Sequence, residues 1–366
     1  MTSLKILFCL GSFTHGGAER VISNLVDSFS KEHDISIILT KKSEISYPLP
    51  SLNLNYLDED KKITNFIFKN IYRLKKLNKL IKEIQPDIII TFLPEPSYRV
   101  LFLKPFNKIP IIVSVRNDPK IEYHSKLNHL VMKILYRRAD GFVFQTEEAR
   151  KYFSKSIRDK STIILNPLSK DFIIDEYLGE REKKIVNVGR LVPQKNHKLL
   201  IKAFSKLPKK FNEYKLLIYG VGPLHDELFE YIKSLDLENK VILMGEVSNI
   251  QEEIRNASLF VLSSDYEGLP NSLIEAMALG LPVISTNCPC GGPDILIKNQ
   301  ENGILVSTND AKELSDNIKK ILENSHLAAK LGKEARNIIV QTHPDKINKQ
   351  WLDYIEKILK KKAGKM

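Results

Sequence analysis

A chain of 366 residues, 43% apolar and 27% charged, has the length of about two ordinary domains and the balance of a folded globular protein. It lacks the apolar-poor or repetitive composition of disordered and fibrous chains, and no run of eighteen apolar residues reads as a membrane span. The net charge of +12 is uneven: residues 1–170 hold 28 Lys/Arg against 17 Asp/Glu, residues 171–345 hold 21 against 25, and residues 346–366 hold 7 against 2, so a basic first half points to an anionic partner such as nucleic acid, a membrane surface or a phosphorylated substrate.

Leu4–Leu10 reads as a strand, followed by a Gly-rich turn and a helix over Ala18–Phe29. Ile35–Thr40 and Leu52–Leu57 read as strands, Ile63–Ile84 as a long amphipathic helix, and Asp87–Leu93, Ile109–Arg116 and Gly141–Thr146 as further strands, with a helix near Lys126–Arg138. Most of these strands are unbroken Ile/Val/Leu/Phe runs, as a parallel sheet covered on both faces requires. The pattern restarts after about residue 170. Strands over Ile185–Val188, Leu216–Tyr219, Val241–Met244, Leu259–Leu262 and Val283–Ser285 alternate with helices over His197–Leu207, Leu224–Leu235, Ser248–Asn256 and Asn271–Leu279. Two βαβ bodies in tandem are expected, with domains at 1–170 and 171–345. Helices over Ala311–Asn324 and His326–Ile339 and a basic helix after Pro344 close the chain.

Chemistry gathers at four strand-to-helix turns. The run Asp265-Tyr266-Glu267-Gly268-Leu269-Pro270-Asn271-Ser272-Leu273-Ile274-Glu275 follows a strand and opens a helix. A helix start presents unpaired N–H groups and about half a positive charge, which suits a diphosphate. Glu267 before the helix and Glu275 inside it place carboxylates where one faces a sugar and the other a ribose; alone, the pair also reads as a helix cap and a solvated charge. Gly189-Arg190-Leu191-Val192-Pro193-Gln194-Lys195-Asn196 leaves the carboxyl end of another strand, where open α/β sheets bind ligands. Arg190 and Lys195 set two cations there, as a leaving diphosphate needs. Gly11-Ser12-Phe13-Thr14-His15-Gly16-Gly17 is a turn that lets backbone approach a ligand; it is neither a Walker loop nor a dinucleotide fingerprint. Gly220-Val221-Gly222 is a similar turn.

In residue types and order, these turns resemble glycosyltransferase family 4, the retaining nucleotide-sugar transferases, across nearly the whole chain. The resemblance implies the GT-B fold: an α/β architecture of two Rossmann-like, doubly wound parallel-sheet domains facing across a cleft. The C-terminal helix 346–366 is expected to pack back on the N-terminal domain. The first domain would bind the acceptor and the second the donor. By resemblance, Arg190 and Lys195 hold the donor diphosphate, Glu275 the ribose and Glu267 the donor sugar. Backbone around Gly268, Leu269, Pro270, Asn271, Ser272 and Leu273 cradles phosphate, Gly220 joins the donor site, and Gly16 and Gly17 close from the first domain. Many relatives carry a His where this chain has Arg116-Asn117-Asp118. Its role passes to Arg116, to Asp118 or to His124, or is absent; His15 is a further sugar or phosphate contact.

No cofactor is expected beyond the nucleotide-sugar donor, for which a UDP-sugar is the expectation. No metal is expected either: two side-chain cations and a helix end already meet the diphosphate. Asp58-Glu59-Asp60 reads as a solvated loop, and Cys288-Pro289-Cys290 as small residues leading into Gly291. The expected reaction moves a hexose or N-acetylhexosamine to a lipid-linked glycan or polysaccharide precursor. The alternatives are a GT-B sugar-nucleotide epimerase and a basic nucleic-acid-binding protein. The acidic middle and the lack of an aromatic-basic recognition motif speak against nucleic acid. On the helix Ile63–Ile84 an apolar stripe is expected on the sheet, with Lys61, Lys62, Lys69, Arg73, Lys75, Lys76, Lys79 and Lys82 free to meet anionic lipid. Three cysteines and a leader-like stretch of only Leu4–Leu10 fit a cytoplasmic protein, peripheral on the inner face of the cytoplasmic membrane.

Overall fold

The computed structural model describes residues 3–14, 16–42, 49–50, 53–58 and 63–364. His15, Leu52, Glu59, Asp60, Lys61 and Lys62, named above, lie outside them. The chain forms two compact units: Met1–Pro167 with Pro344–Met366, and Leu168–His343. The first crossing falls three residues before the boundary expected at residue 170.

The first unit is built on seven strands: β1 Lys5–Leu10, β2 Asp34–Lys41, β3 Asn53–Asp58, β4 Ile88–Phe92, β5 Ile111–Ser114, β6 Gly141–Phe144 and β7 Ser161–Ile163. All pair in parallel, in the order β3-β2-β1-β4-β5-β6-β7. The order reverses direction between β1 and β4, which makes that junction a topological switch point. Every residue of β4 is buried, as its unbroken Ile-Ile-Ile-Thr-Phe run demands of a strand covered on both faces.

The last helix, Pro344–Ala363, returns to this unit. Its Trp351 is fully buried and stacks on Phe92 with ring centres 6.1 Å apart. Its Tyr354 hydroxyl donates to the Lys160 carbonyl at 2.6 Å and accepts from the Phe142 amide at 2.9 Å. Burying one Trp removes roughly 200 Å² of surface, about 5 kcal/mol at about 25 cal/mol per Å². Ile347, Ile355 and Ile358 complete the buried face.

The second unit has six strands: β8 Glu182–Val188, β9 Lys215–Tyr219, β10 Val241–Gly245, β11 Ala257–Leu262, β12 Val283–Thr286 and β13 Ile304–Val306. They are again parallel, in the order β10-β9-β8-β11-β12-β13, with the switch point between β8 and β11. Its separate core includes Leu200, Ile218, Leu259, Ile284 and Ile318.

β7 and β13, absent from the expected strands, are three-residue edge strands too short to carry a pattern. The helix Pro94–Leu103 is also not expected from the sequence, because Pro94 and Pro96 look like breakers; both sit in the first turn, where a proline's missing N–H costs nothing. The long amphipathic helix runs over Phe66–Ile84, with the Asn65 side chain accepting from the amides of Ile67 and Phe68. Its stripe is only half used. Leu77 and Ile81 are buried, whereas Phe66, Ile67 and Phe68 are 77%, 67% and 65% exposed. Arg73 is not a solvated cation. It is buried and grips Asp58 through two bonds of 2.7 and 2.5 Å, with Lys69 at 3.3 Å from the same carboxylate. Those cations hold the Asp58 carboxyl below its ordinary range, so this acid is a structural anchor rather than part of a solvated loop.

Candidate active site

The switch point of the six-stranded sheet brings two of the sequence motifs together, because β8 and β11 are neighbours whose carboxyl ends release the Gly189–Asn196 and Ser263–Pro270 loops. The loops are stitched by hydrogen bonds. The Asp265 amide donates to the Gln194 carbonyl at 2.9 Å, the Gln194 side chain to the Tyr266 carbonyl at 2.9 Å, and the Ser263 hydroxyl to the Lys195 carbonyl at 2.9 Å. Asn196, in the left-handed region at φ 43°, donates to Asp265 Oδ1 at 2.7 Å while its Oδ1 accepts from the Leu199 amide and starts the helix His197–Ser205.

Within this frame Lys195 Nζ lies 2.5 Å from Glu267 Oε1, the two side chains 14% and 7% exposed. Ser264 Oγ donates to the same oxygen at 2.7 Å, and Gln194 Nε2 reaches Glu267 Oε2 at 3.4 Å. Lys195 and Glu267, read separately from the sequence as a diphosphate ligand and a sugar ligand, are thus one buried pair. Ser264 is fixed in turn by Thr286, whose hydroxyl donates to the Ser264 carbonyl at 2.5 Å.

Arg190 is exposed, and among the described residues no side-chain bond restrains its guanidinium. The loop that carries it is held from beneath: the Leu191 amide donates to the Val221 carbonyl at 3.0 Å and Gly189 to Tyr219 at 2.9 Å. Gly220, at φ 136°, packs so closely that a Cβ there would strike the Gly189 carbonyl. Its place is to seat the Arg190 loop.

Beyond Glu267, Gly268, Leu269 and Pro270 are buried, and the helix Asn271–Ala278 begins. Pro270 is the cap rather than the first helical residue, and its side chain makes no cap bond. Helix geometry gives the first-turn amides, here of Asn271, Ser272 and Leu273, no acceptor inside the helix itself, and ends of this kind are where anions bind helices. Leu273 through Ala278 are buried, so Glu275 is a buried carboxylate rather than a surface charge.

Four contributors were not recognised in the sequence. Gly292 abuts Gly268: a Cβ at 292 would land on the Gly268 carbonyl oxygen. Cys288 is buried within the electrostatic reach of the ion pair, and burial, then the Glu267 charge, push its thiol up to about 12. His197 Nε2 bonds Asn187 Oδ1 at 3.1 Å, while Asn187 Nδ2 donates to the Val261 carbonyl at 2.7 Å, tying β8 to β11 below the site. Burial, then Lys195, hold the His197 imidazole down at about 4, so it is neutral beside that lysine. Nothing in the spacing of Cys288-Pro289-Cys290 signals which side chains it faces.

In the first unit, Gly16 and Gly17 follow β1 at the β1/β4 switch point, and Gly17 opens the helix Gly17–Phe29. Gly16 has an ordinary extended backbone (φ −112°). Arg116 and Asp118 follow β5. Asp118 is buried and accepts from the Lys120 amide at 2.9 Å, capping a short helix Pro119–Glu122. Arg116 is buried with Asn166. His124 is exposed and bonds the Ile121 carbonyl at 2.7 Å. Among the described residues, no three His, Cys, Asp or Glu side chains converge as metal ligands would, and no helix is long and apolar enough to cross a membrane.

Residues 15–172 match the family model for Glycosyltransferase Family 4, and residues 169–338 match that for Glycosyl transferases group 1. Among curated proteins, the chain is 30% identical over 365 residues to the N-acetylgalactosamine-N,N'-diacetylbacillosaminyl-diphospho-undecaprenol 4-alpha-N-acetylgalactosaminyltransferase of Campylobacter jejuni, covering 95% of this chain and 98% of that one. It is 28% identical to a second Campylobacter jejuni protein, a GalNAc-alpha-(1->4)-GalNAc-alpha-(1->3)-diNAcBac-PP-undecaprenol alpha-1,4-N-acetyl-D-galactosaminyltransferase, over 97% and 99% of the two chains. Among solved structures, Anabaena HepE in complex with UDP-glucose superposes with a TM-score of 0.84 at 18% identity, covering 97% of this chain and all of that one. The lipopolysaccharide outer core galactosyltransferase WaaB superposes with a TM-score of 0.76 at 21% identity, over 97% and 99%.

Proposed function

Because the chain belongs to the glycosyltransferases of group 1 and family 4, we propose that it moves a hexose or N-acetylhexosamine from a UDP-sugar to a hydroxyl of a lipid-linked glycan or polysaccharide precursor, with retention of anomeric configuration. The observation that carries this reading is the interlock of the β8 and β11 loops, which sets a buried Lys195–Glu267 pair four residues before the start of the helix Asn271–Ala278. The Campylobacter relatives are named for diphospho-undecaprenol glycans, and HepE for its UDP-glucose complex; both support the choice of substrates.

The diphosphate lies on the first-turn amides of Asn271–Leu273, and Arg190, free at the surface, folds onto it. Glu275 takes the ribose hydroxyls. As the sugar–phosphate bond breaks, negative charge grows on the leaving diphosphate, and Arg190 and the helix end stabilise it. Lys195 has three N–H donors and gives one to Glu267, so the others are available to a phosphate oxygen. Positive charge grows on the sugar, and the Glu267 carboxylate, fixed by Ser264 and Lys195, steadies it. The acceptor hydroxyl attacks the face the phosphate leaves, and its proton passes to that phosphate. Arg190, Lys195 and the helix dipole supply the positive charge, so the donor binds without a metal. The protein works on the inner face of the cytoplasmic membrane. Its basic first unit meets anionic lipid through Lys75, Lys79 and Lys82, with Phe66, Ile67 and Phe68 entering the interface.

The test incubates purified protein with a panel of nucleotide sugars, with and without lipid extract, and follows nucleoside diphosphate by mass spectrometry. Release that requires lipid supports the reading. Conversion of a nucleotide sugar without acceptor makes the protein an epimerase, and no change with any donor sinks the assignment.

A further inference from the structure

The carboxyl edge of the seven-stranded sheet holds a second polar cluster, centred on Arg116. The residue follows β5 and is 8% exposed. Its Nη1 donates to Asn166 Oδ1 at 2.9 Å, and that oxygen also accepts from Gln145 Nε2 at 2.6 Å. The guanidinium carbon sits 4.7 Å from the centre of the Phe92 ring and 5.5 Å from that of Trp351. One end of the group is therefore tethered, and two aromatic rings hold the rest.

The other edge is empty. Among the described residues, Nε and Nη2 of Arg116 have no hydrogen-bond partner, and neither do the nearby buried atoms Trp351 Nε1 and Gln145 Oε1. Among the described residues no carboxylate pairs with the guanidinium, and burial lowers its pKa to about 9. A buried cation without a counter-ion is costly, and buried arginines are ordinarily paired. The Nε–Nη2 edge is also the fork whose spacing matches two oxygens of one phosphate or carboxylate.

We infer that Arg116 is an anion receptor whose Nε and Nη2 donate to two oxygens of a phosphate group. The choice of phosphate over carboxylate rests on the proposed function, in which both the nucleotide sugar and a diphosphate-linked acceptor carry phosphates. Asn166 and the Phe92 and Trp351 rings orient the fork, and the phosphate supplies the missing counter-charge. Both nitrogens are buried, so the phosphate enters with a local side-chain displacement.

Calorimetric titration of the full chain with UDP and, separately, with geranyl diphosphate tests this in the wild type, Arg116→Gln and Arg116→Lys. Melting temperatures are measured in parallel. Arg116→Gln should weaken one of the two ligands about 10- to 100-fold, the range for hydrogen bonds to charged groups, with partial recovery in Arg116→Lys. Loss confined to UDP assigns the fork to the donor, and loss confined to geranyl diphosphate assigns it to the acceptor. Unchanged affinity for both ligands overturns the inference, and a lowered melting temperature then makes Arg116 a structural tie. If the wild type turns over no nucleotide sugar yet Arg116→Gln still loses ligand, the receptor stands and the proposed function falls.

Discussion

Replacing Lys195 with methionine keeps the length of the side chain and removes its charge. In the wild type the ammonium is 2.5 Å from Glu267 Oε1, and both side chains are nearly covered. Among the described residues, the variant leaves that carboxylate with Ser264 Oγ at 2.7 Å and Gln194 Nε2 at 3.4 Å. Breaking a buried pair by deleting one partner costs about 3–5 kcal/mol, and two surviving donors place the expected loss near the lower end, about 3 kcal/mol. For a body the size of Leu168–His343 that lowers the melting transition by about 6–12 °C. Adding Glu267→Gln removes the orphaned charge and should restore most of the stability. Turnover behaves differently. Both single variants and the double variant should lose about 30- to 1,000-fold, because each lacks a group that acts on developing charge, worth about 2–4 kcal/mol. Scanning calorimetry reads the first effect and nucleoside diphosphate release the second. A Lys195→Met protein that melts and turns over like the wild type refutes the reasoning, as does a double variant no more stable than the single.

Gly292→Ala places a methyl on the buried Gly268 carbonyl, so the turn before the helix start must shift. A stability loss of about 1–3 kcal/mol and weaker UDP binding by calorimetry are expected. His197 is held at about 4 in the folded protein against about 6.5 when unfolded, so the unfolded chain binds more protons between those values. Stability therefore falls as pH drops from about 6.5 to 4, and His197→Gln should flatten that part of the melting-temperature profile. Phe66→Ser with Phe68→Ser leaves the lysines in place but removes two exposed rings, each worth about 1.5–3 kcal/mol when buried. Flotation with anionic vesicles should weaken in that variant and weaken again with salt; binding that ignores both changes argues against the membrane face.

The donor side of the fold was readable because its signals are local. Unbroken apolar runs give parallel strands, and each motif sits directly after one. What periodicity does not encode is which strand ends become neighbours. The meeting of Lys195 with Glu267 depends on β8 lying beside β11, 72 residues away in sequence for the pair itself. Gly292 and Cys288 gain their places in the same way, through a third loop. The lysine-rich helix was misjudged for a different reason. Its stripe has helical spacing over its whole length, but the sheet it packs on covers only its later turns, at Leu77 and Ile81. Arg73 counted as a free cation until Asp58, at the end of β3, claimed it.

The most direct check is a crystal structure of the protein soaked with UDP. The diphosphate should lie within hydrogen-bond distance of the Asn271–Leu273 amides, with Arg190 turned onto it and Glu275 at the ribose. A nucleotide bound elsewhere, with the β8 and β11 loops empty, would contradict the assignment of this switch point as the donor site.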